Sequence, residues 1–325
     1  MSGSGDKLSA RGAARRINAS RRQFLKGTAA TVAATSTGVS KAVPATSLVK
    51  TISHGEFSIT VLSDGHLTIP TRFLARHASE ADIITAIGIA GDLVTPPCKI
   101  TLVRTPGETI LIDVGAGPHY MPGAGKLADN MDAAGIDRKA VTKVVLTHAY
   151  PDHLWGLLDD FDDTPLFPNA SYVMSTAEFE FWMAEDIAAR LPEDRRNFAP
   201  SAQRNLTSVG NRLNLIAPGT DIASGIRAID AAGHTAGHIA VEIASGNEIA
   251  LVLADTLMHP IISFAHPEWS PAADHHDPDR AIETRKRLLD RLASDKSLAI
   301  GFHLPFPGLG RVEVDGSAYR FVPTT

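Results

Sequence analysis

The chain has 325 residues, of which 44% are hydrophobic, and its formal net charge is −5. This length and apolar content suffice to bury a core in one large domain or two small ones. The single cysteine, Cys98, excludes an internal disulfide and a cysteine-rich zinc module, and we interpret it as a small buried hydrophobic residue. No apolar run reaches about 18 residues, so a membrane-spanning helix is not expected.

The first fifty residues differ from the rest in charge. They hold nine of the 31 basic residues and one of the 36 acidic residues. Ser20-Arg-Arg-Gln-Phe-Leu-Lys26 is similar to a twin-arginine export motif, and Val43-Pro44-Ala45 offers small residues for cleavage. We predict an export signal and linker over residues 1–50, cleaved near Ala45, and a periplasmic domain over residues 51–325. A disordered basic arm that binds nucleic acid is less favoured, because the arginine pair directly precedes an apolar stretch.

Acidic residues predominate beyond residue 50, which argues against nucleic acid as a partner. Apolar patterning in this part predicts two groups of strands and several helices. The predicted strands of the first sheet are residues 57–62, 100–103 and 109–114. The predicted helices are residues 125–134, 176–185 and 278–293. The predicted strands of the second sheet are residues 226–229, 239–243, 249–253 and 298–300.

Two local features refine this outline. Pro106-Gly107 is expected to join the second and third strands as a hairpin. The last predicted helix has an apolar stripe that Arg285 interrupts, and it is interpreted as part of a packed outer layer. The residues of the stripe are Ile282, Leu288, Leu289 and Leu292.

The most informative segment is His148-Ala-Tyr150-Pro-Asp152-His153, which follows the apolar run 144–146. This pattern predicts the end of a strand followed by a metal-binding loop. Three later residues also follow apolar runs and can therefore lie at strand ends, namely His234, Asp255 and His303. Imidazole and carboxylate groups that converge from one edge of a sheet are the ligands expected for Zn²⁺ or a similar divalent ion.

At this point the chain resembles the metallo-β-lactamase superfamily, whose motif His-x-His-x-Asp-His is followed by a His, a bridging Asp and a final His. The order agrees except at Tyr150, which stands where the family has its second histidine. Two C-terminal segments resemble those of the methyl parathion hydrolase and lactonase branch. They are His303-Leu-Pro-Phe-Pro-Gly308 and Tyr319-Arg-Phe-Val-Pro323. The resemblance runs from about residue 55 to the C-terminus, and the fold class it implies is α/β, a four-layer αββα sandwich.

The resemblance implies two metal pockets that share Asp255. One pocket has Asp152, His153, Asp255 and His303 as its ligands. The other has His148, His234 and Asp255, with Tyr150 in the place of the missing ligand. One or two Zn²⁺ ions per chain are expected, and iron or manganese would also suit these donors.

Tyr150 admits three interpretations. It could bind a metal as a phenolate, which would favour iron, although a phenol with a pKa near 10 is a poor ligand at neutral pH. It could instead be a hydrogen-bond donor beside a single metal held by the complete pocket, which is the interpretation we favour. Finally, its presence could mark a site that has lost catalysis and only binds.

The function implied is that of an exported metal-dependent hydrolase that uses a metal-bound hydroxide. Asp152 or Asp255 would orient this nucleophile and carry a proton, and Tyr150 would donate to the developing oxyanion. Asp113 would hold a ligand imidazole in one tautomer. The expected substrate is a small, uncharged, hydrophobic ester, lactone or phosphotriester. The alternatives are a hydrolytic dehalogenase of chlorinated aromatics and a non-catalytic periplasmic binding protein. Relatives often pair, so a homodimer is also expected.

Several other residues are weaker candidates for a place in or near the site. His238 is expected to be structural, His259 and His266 are candidates for pocket lining, and the pair His275-His276 is expected in a solvated loop. Five aromatic residues are assigned to the substrate pocket, although each could belong to the core. They are Trp155, Phe264, Trp269, Phe302 and Phe306.

Overall fold

The computed structural model describes residues 48–89 and 91–324. Most of the predicted export segment, including the cleavage point near Ala45, therefore lies outside the described residues. The first strand begins at Val49, so the last two residues of the predicted linker pair in a sheet. Among the helices in the described ranges, none is both long and apolar enough to cross a membrane.

Two large sheets and one short two-stranded sheet account for the strands of the described residues. In chain order these strands are β1 (Val49–His54), β2 (Phe57–His66), β3 (Ile69–Pro70), β4 (Leu93–Val94), β5 (Pro97–Arg104), β6 (Thr109–Ile112), β7 (Lys143–Val145), β8 (Ser171–Ser175), β9 (Leu213–Ile216), β10 (Asp221–Ala223), β11 (Ile226–Asp230), β12 (Ile239–Ser245), β13 (Glu248–Val252), β14 (Leu298–Ile300), β15 (Leu309–Asp315) and β16 (Ala318–Pro323). One seven-stranded sheet has the order β1-β2-β5-β6-β7-β8-β9, and the other runs from β10 to β16 in sequence order.

The α-helices of the described residues cover the outer faces of these sheets or lie in the connecting loops. They are α1 (Glu80–Ile87), α2 (Leu127–Ala133), α3 (Pro151–Leu154), α4 (Thr176–Met183), α5 (Ile187–Arg190), α6 (Phe198–Val209), α7 (Ile262–Ala265) and α8 (Pro278–Asp295).

Side-chain alternation along the strands divides the core into layers. On β6, Ile110 and Ile112 pack between the two sheets, whereas Leu111 faces the opposite side and packs with residues of α2, α4 and α6. On β13, Leu251 points away from the other sheet and packs against Leu289 of α8. Because successive side chains of a strand point to opposite faces, each sheet buries both of its faces. The result is the predicted four-layer αββα sandwich.

Parallel strand pairs bring the loops of interest to one edge of each sheet. Strands β6 and β7 are parallel, as are β13 and β14, so their carboxyl ends lie side by side. Asp113 follows β6 and the segment beginning at His148 follows β7. Asp255 follows β13 and His303 follows β14. The fold therefore brings these four residues to the same edge, although they are far apart in sequence.

Some element boundaries differ from the predictions for physical reasons. The strand predicted at 109–114 ends at Ile112, because Asp113 has a positive φ of 63° and leaves the strand conformation. The helix predicted at 125–134 begins only at Leu127, because Gly125 has a φ of 74°. The final helix continues past the predicted residue 293 to Asp295, and Lys296 ends it in the left-handed conformation.

The apolar stripe of α8 is partly as expected. Leu288, Leu289 and Leu292 are buried, but Ile282 is only half-buried. Arg285 is also buried, because its guanidinium donates to the carbonyls of Thr256, Pro267 and Trp269 and to the Asp274 carboxylate. A charged residue can occupy a core position when each of its nitrogen atoms is hydrogen-bonded in this way.

Candidate metal centre

The segment after β7 is held in place by a buried carboxylate. Asp113 accepts hydrogen bonds from the backbone N–H of Thr147 at 2.8 Å and from its hydroxyl at 2.8 Å. Asp113 also lies 2.7 Å from Nδ1 of His153. Helix α3 begins at Pro151, where the missing N–H of proline costs nothing. Tyr150 precedes this helix as its N-cap residue, and Asp152 and His153 occupy its first turn.

Glu178 joins this segment to the turn that carries His234. One carboxylate oxygen accepts from the Ala149 N–H at 3.1 Å, and the other accepts from the Thr235 hydroxyl at 2.6 Å and the Gly237 N–H at 2.9 Å. Glu178 is fully buried, so these bonds replace the water it has lost. The two histidine-bearing segments are therefore fixed relative to each other by one carboxylate.

Four histidines share one pattern of hydrogen bonding. In each ring Nδ1 faces an acceptor, which leaves Nε2 as the nitrogen with a free lone pair. The Nδ1 acceptors are Thr147 Oγ1 for His148 at 3.1 Å, Asp113 for His153 at 2.7 Å, Asp274 for His234 at 2.8 Å and the Pro97 carbonyl for His303 at 3.0 Å. Asp274 is in turn held by Arg285 at 2.8 Å. The orientation of each of the four histidine rings is thus set by the hydrogen bond that its Nδ1 atom makes away from the site.

The four Nε2 atoms surround the carboxylate of Asp255, and each of its oxygens faces two of them. Oδ1 lies 2.9 Å from His153 and 3.3 Å from His303. Oδ2 lies 3.1 Å from His234 and 3.8 Å from His148. Asp255 therefore divides the site into two pockets, one on each oxygen.

These atoms do not satisfy one another. The Nε2 atoms of all four histidines and Oδ1 of Asp255 are buried without a hydrogen-bond partner among the described residues. Several of the N···O distances lie within hydrogen-bonding range, but these nitrogen and oxygen atoms do not pair as donor and acceptor. Buried polar atoms without partners are costly in free energy, and each needs an explanation such as an ion. The donor set fits a cation.

Asp152 completes the pocket on the Oδ1 side, which we call the Asp152 pocket (Asp152, His153, Asp255, His303). Its Oδ2 atom lies 3.4 Å from Nε2 of His303 and 3.6 Å from Nε2 of His153. Ligands about 2.0–2.1 Å from a tetrahedral ion are about 3.3–3.4 Å apart, and the distances in this pocket scatter around that value.

The pocket on the Oδ2 side, which we call the His148 pocket, contains His148, His234 and Asp255. Their donor atoms also lie within 4.8 Å of one another. Three protein donors with a remaining open position are typical of catalytic zinc sites. The structure thus brings together all six of the residues that the sequence suggested as ligands.

Asp255 carries a negative charge despite its burial. Burial alone would raise the pKa of its carboxyl, but the attraction of His153, His303 and His234 in their protonated forms outweighs that effect and holds the pKa well below its ordinary value. An ionised carboxylate at the centre of four imidazoles is the form that binds a cation.

Tyr150 lies beside the His148 pocket, but its hydroxyl is bonded elsewhere. The ring centroid is 4.9 Å from that of His234, whereas the hydroxyl donates to the Ala273 carbonyl at 3.1 Å. The hydroxyl also lies 2.6 Å from Nδ1 of His275 and accepts from Arg195 at 3.3 Å. Burial raises the pKa of Tyr150, and Arg195 offsets this only in part, so the phenol is neutral.

His275 corrects one expectation from the sequence. It was expected in a solvated loop, but it is half-buried and its ring stacks parallel to Tyr150 with an interplanar angle of 3°. Burial, together with the neighbouring Arg195, lowers its pKa to about 4, so the ring is neutral and Nδ1 accepts from Arg195 at 2.6 Å. His276 is exposed, as expected.

A cavity of about 500 Å³ opens onto the site and is lined by Asp152, Asp255, Tyr150 and Arg195. Besides Tyr150, the aromatic residues in its wall are Phe73, Tyr120 and Phe198. None of the five predicted aromatic residues lines it within the described chain. Phe264 packs in the core under α8, and Phe302 stacks on His153 with ring centroids 3.8 Å apart.

The remaining histidines lie outside the two pockets. His238 is buried next to His148, but its Nδ1 donates to the Ala231 carbonyl at 2.9 Å. His259 accepts from the N–H groups of Ile261 and Ile262, and His266 stacks on Trp269, so neither lines the cavity.

Comparisons with family models and with solved structures agree with this geometry. Residues 94–300 match the family model of the metallo-beta-lactamase superfamily, and residues 18–38 match the model of the twin-arginine translocation pathway signal sequence. A search of curated proteins gave no significant match.

Solved structures give a more detailed comparison. AidC, a dizinc quorum-quenching lactonase solved with the product N-hexanoyl-L-homoserine, is 30% identical with a TM-score of 0.79, covering 86% of this chain and 99% of AidC. The hydrolase AbOPH of the beta-lactamase superfamily is 27% identical with a TM-score of 0.79, covering 85% and 97%. A probable metal-dependent hydrolase from Staphylococcus aureus, 19% identical with a TM-score of 0.70 over 84% and 100%, shares the fold.

The N-terminal signal indicates export by the twin-arginine route. The family match spans well over half of the chain and includes the segments from His148 to Asp255. The chain therefore belongs to the metallo-beta-lactamase superfamily, and it is a hydrolase of that superfamily with an export signal at its N-terminus.

Proposed function

We propose that this protein is a periplasmic, metal-dependent hydrolase that opens lactones and related uncharged esters. The observation that carries the proposal is the ring of buried Nε2 atoms without partners around Asp255, next to a cavity of about 500 Å³. The proposed domain covers residues 51–325, after an export signal and linker over residues 1–50.

The ligands would form two metal sites. Asp152, His153 and His303 would bind one ion and His148 and His234 the other, with Asp255 bridging the two through its separate oxygens. Zn²⁺ suits these nitrogen and oxygen donors best, and iron or manganese could also be accommodated. Tyr150 is not a ligand in this scheme, because its neutral hydroxyl is bonded to Ala273, His275 and Arg195.

Catalysis would combine this centre with residues in the cavity wall. A divalent ion held there would lower the pKa of its bound water from the bulk value to about 7 and would polarise a carbonyl oxygen. Asp152 and Asp255, which line the cavity, would orient the attacking water and pass its proton to the leaving alkoxide oxygen. A lactone ring would thereby open to a hydroxy acid.

Tyr150 would donate a hydrogen bond to the oxyanion that develops on the substrate. For this step its hydroxyl proton must turn from the Ala273 carbonyl to the substrate oxygen. Arg195 keeps the hydroxyl in the cavity wall, and its positive charge makes the phenol a stronger donor. Tyr150 and Arg195 would thus stabilise charge that exists only in the transition state.

The wall of the cavity favours an uncharged, apolar substrate. Apart from the polar residues named above and Thr68, Arg72 and Asp194, its lining is mainly apolar, namely Leu67, Ile69, Pro70, Phe73, Tyr120, Met121, Phe198, Met258 and Ala272. Its volume lies within the range of small-molecule sites. The similarity to AidC supports an acylated lactone as the first compound to test.

The substrate class is tested by incubating the metal-loaded protein with N-hexanoyl-homoserine lactone, p-nitrophenyl acetate, methyl parathion and a chlorinated aromatic compound. We expect the lactone to be opened fastest and the Asp255→Ala variant to lose this activity, while the exposed control variant Asp315→Asn retains it. Release of chloride without ester or lactone hydrolysis would indicate a dehalogenase. Tight ligand binding without turnover of any compound would indicate a binding protein.

A second prediction separates the two pockets. Asp113 orients His153 and Asp274 orients His234, so Asp113→Asn should weaken binding in the Asp152 pocket and Asp274→Asn binding in the His148 pocket. Loss of such an orienting partner reduces metal affinity by roughly 10–100-fold. Competition with a chromophoric chelator measures both binding steps. Unchanged affinities in both variants would contradict the proposed ligand sets.

A third prediction concerns Tyr150. Tyr150→Phe removes the proposed donor but no metal ligand, so kcat for the lactone should fall by roughly 10²–10³-fold while the metal content is unchanged. Steady-state kinetics and elemental analysis on the same preparation measure the two effects. Loss of a metal ion in the variant would make Tyr150 a ligand, and an unchanged kcat would exclude it as the donor.

A further inference from the structure

Cys98 lies in the wall of the Asp152 pocket, on β5 of the first sheet. The side chain is fully buried, and its Sγ lies within 4.8 Å of donor atoms of both Asp152 and His303. The sequence alone suggested only a small buried hydrophobic residue, because Cys98 is distant in sequence from the other residues of the site.

The hydrogen bonding of His303 explains why β5 approaches this pocket. Nδ1 of His303 donates to the carbonyl of Pro97, the residue directly before Cys98, at 3.0 Å. This bond turns Nε2 of His303 into the pocket, where it is buried without a partner in the described part of the chain. The same strand therefore orients one donor through its backbone and presents a sulfur next to it.

We propose that the Cys98 thiolate is a ligand of the ion in the Asp152 pocket. This inference rests on the proposed function, since it assumes that the pocket holds a divalent ion. On binding, the S–H proton is released and a metal–sulfur bond of about 2.3 Å forms. The remaining donors are those already described, Asp152, His153, Asp255 and His303.

The additional sulfur ligand affects which metal the Asp152 pocket prefers and which of the two pockets can bind water and substrate. A thiolate is a soft donor, so it favours zinc over manganese or magnesium in the Asp152 pocket. With Cys98, that pocket offers five protein donors, one more than a closed tetrahedral site uses, so no position remains there for water or substrate. The open position for water and substrate then lies in the His148 pocket, which has three protein donors.

Spectroscopy of the cobalt(II) protein tests this directly. Thiolate-bound cobalt(II) has an intense near-ultraviolet charge-transfer band, whereas cobalt bound by histidine and carboxylate alone shows only weak visible bands. Cys98 is the single cysteine of the chain, so such a band can come from no other residue. The purified full-length protein, loaded with two equivalents of cobalt(II), should show both kinds of band.

Three variants complete the experiment. Cys98→Ser should lose the near-ultraviolet band and retain the visible bands. Thr101→Ser, a buried change further along β5, should retain both. His234→Ala removes a donor of the His148 pocket, so the cobalt it retains should lie in the Asp152 pocket and should still show the near-ultraviolet band.

The possible results distinguish the two proposals. Visible bands without a near-ultraviolet band, in the unmodified protein and in His234→Ala, would overturn the role of Cys98 while leaving the metal site intact. Absence of all cobalt bands would overturn the metal site itself. If Cys98→Ser fails to fold, the spectrum of the unmodified protein decides the question, because no second cysteine exists.

Discussion

The structure of the site depends on one buried carboxylate. Asp255 is ionised, and its two oxygens face two separate pairs of imidazole nitrogens that have no hydrogen-bond partner in the described chain. Cations shared by these atoms would relieve the cost of burying them, because a buried polar group without a partner costs about 1–3 kcal/mol. The rest of the architecture can be understood as the means of holding this arrangement in place.

Three further buried carboxylates and one guanidinium hold it. Asp113 orients the segment after β7, Asp274 orients His234, and Glu178 ties these two segments together. Arg285 pairs with Asp274 from the centre of α8, which links the outer helix of the second sheet to the metal centre. Each group is fully paired, so it can be buried without a large penalty and can transmit rigidity to the site.

The sequence predicted most of the fold because alternation along strands and periodicity along helices are local signals. It also placed the ligand candidates at strand ends, since His148, Asp255 and His303 each follow an apolar run. It missed Arg195, His275 and Cys98, which reach the site from three segments without a motif. The aromatic residues that it assigned to the cavity were wrong. The direction in which a loop side chain points depends on tertiary packing and leaves no periodic pattern in the sequence.

The most direct test is the metal content of the purified protein by elemental analysis, measured beside His234→Ala and the triple variant Asp152→Ala/His153→Ala/His303→Ala, each of which leaves two donors in its pocket. If Asp255 joins two pockets, the unmodified protein should hold two ions per chain and each variant should hold one. Two ions in all three proteins would show that these residues do not form the pockets. The absence of metal from the unmodified protein, even after exposure to zinc, would contradict the account as a whole.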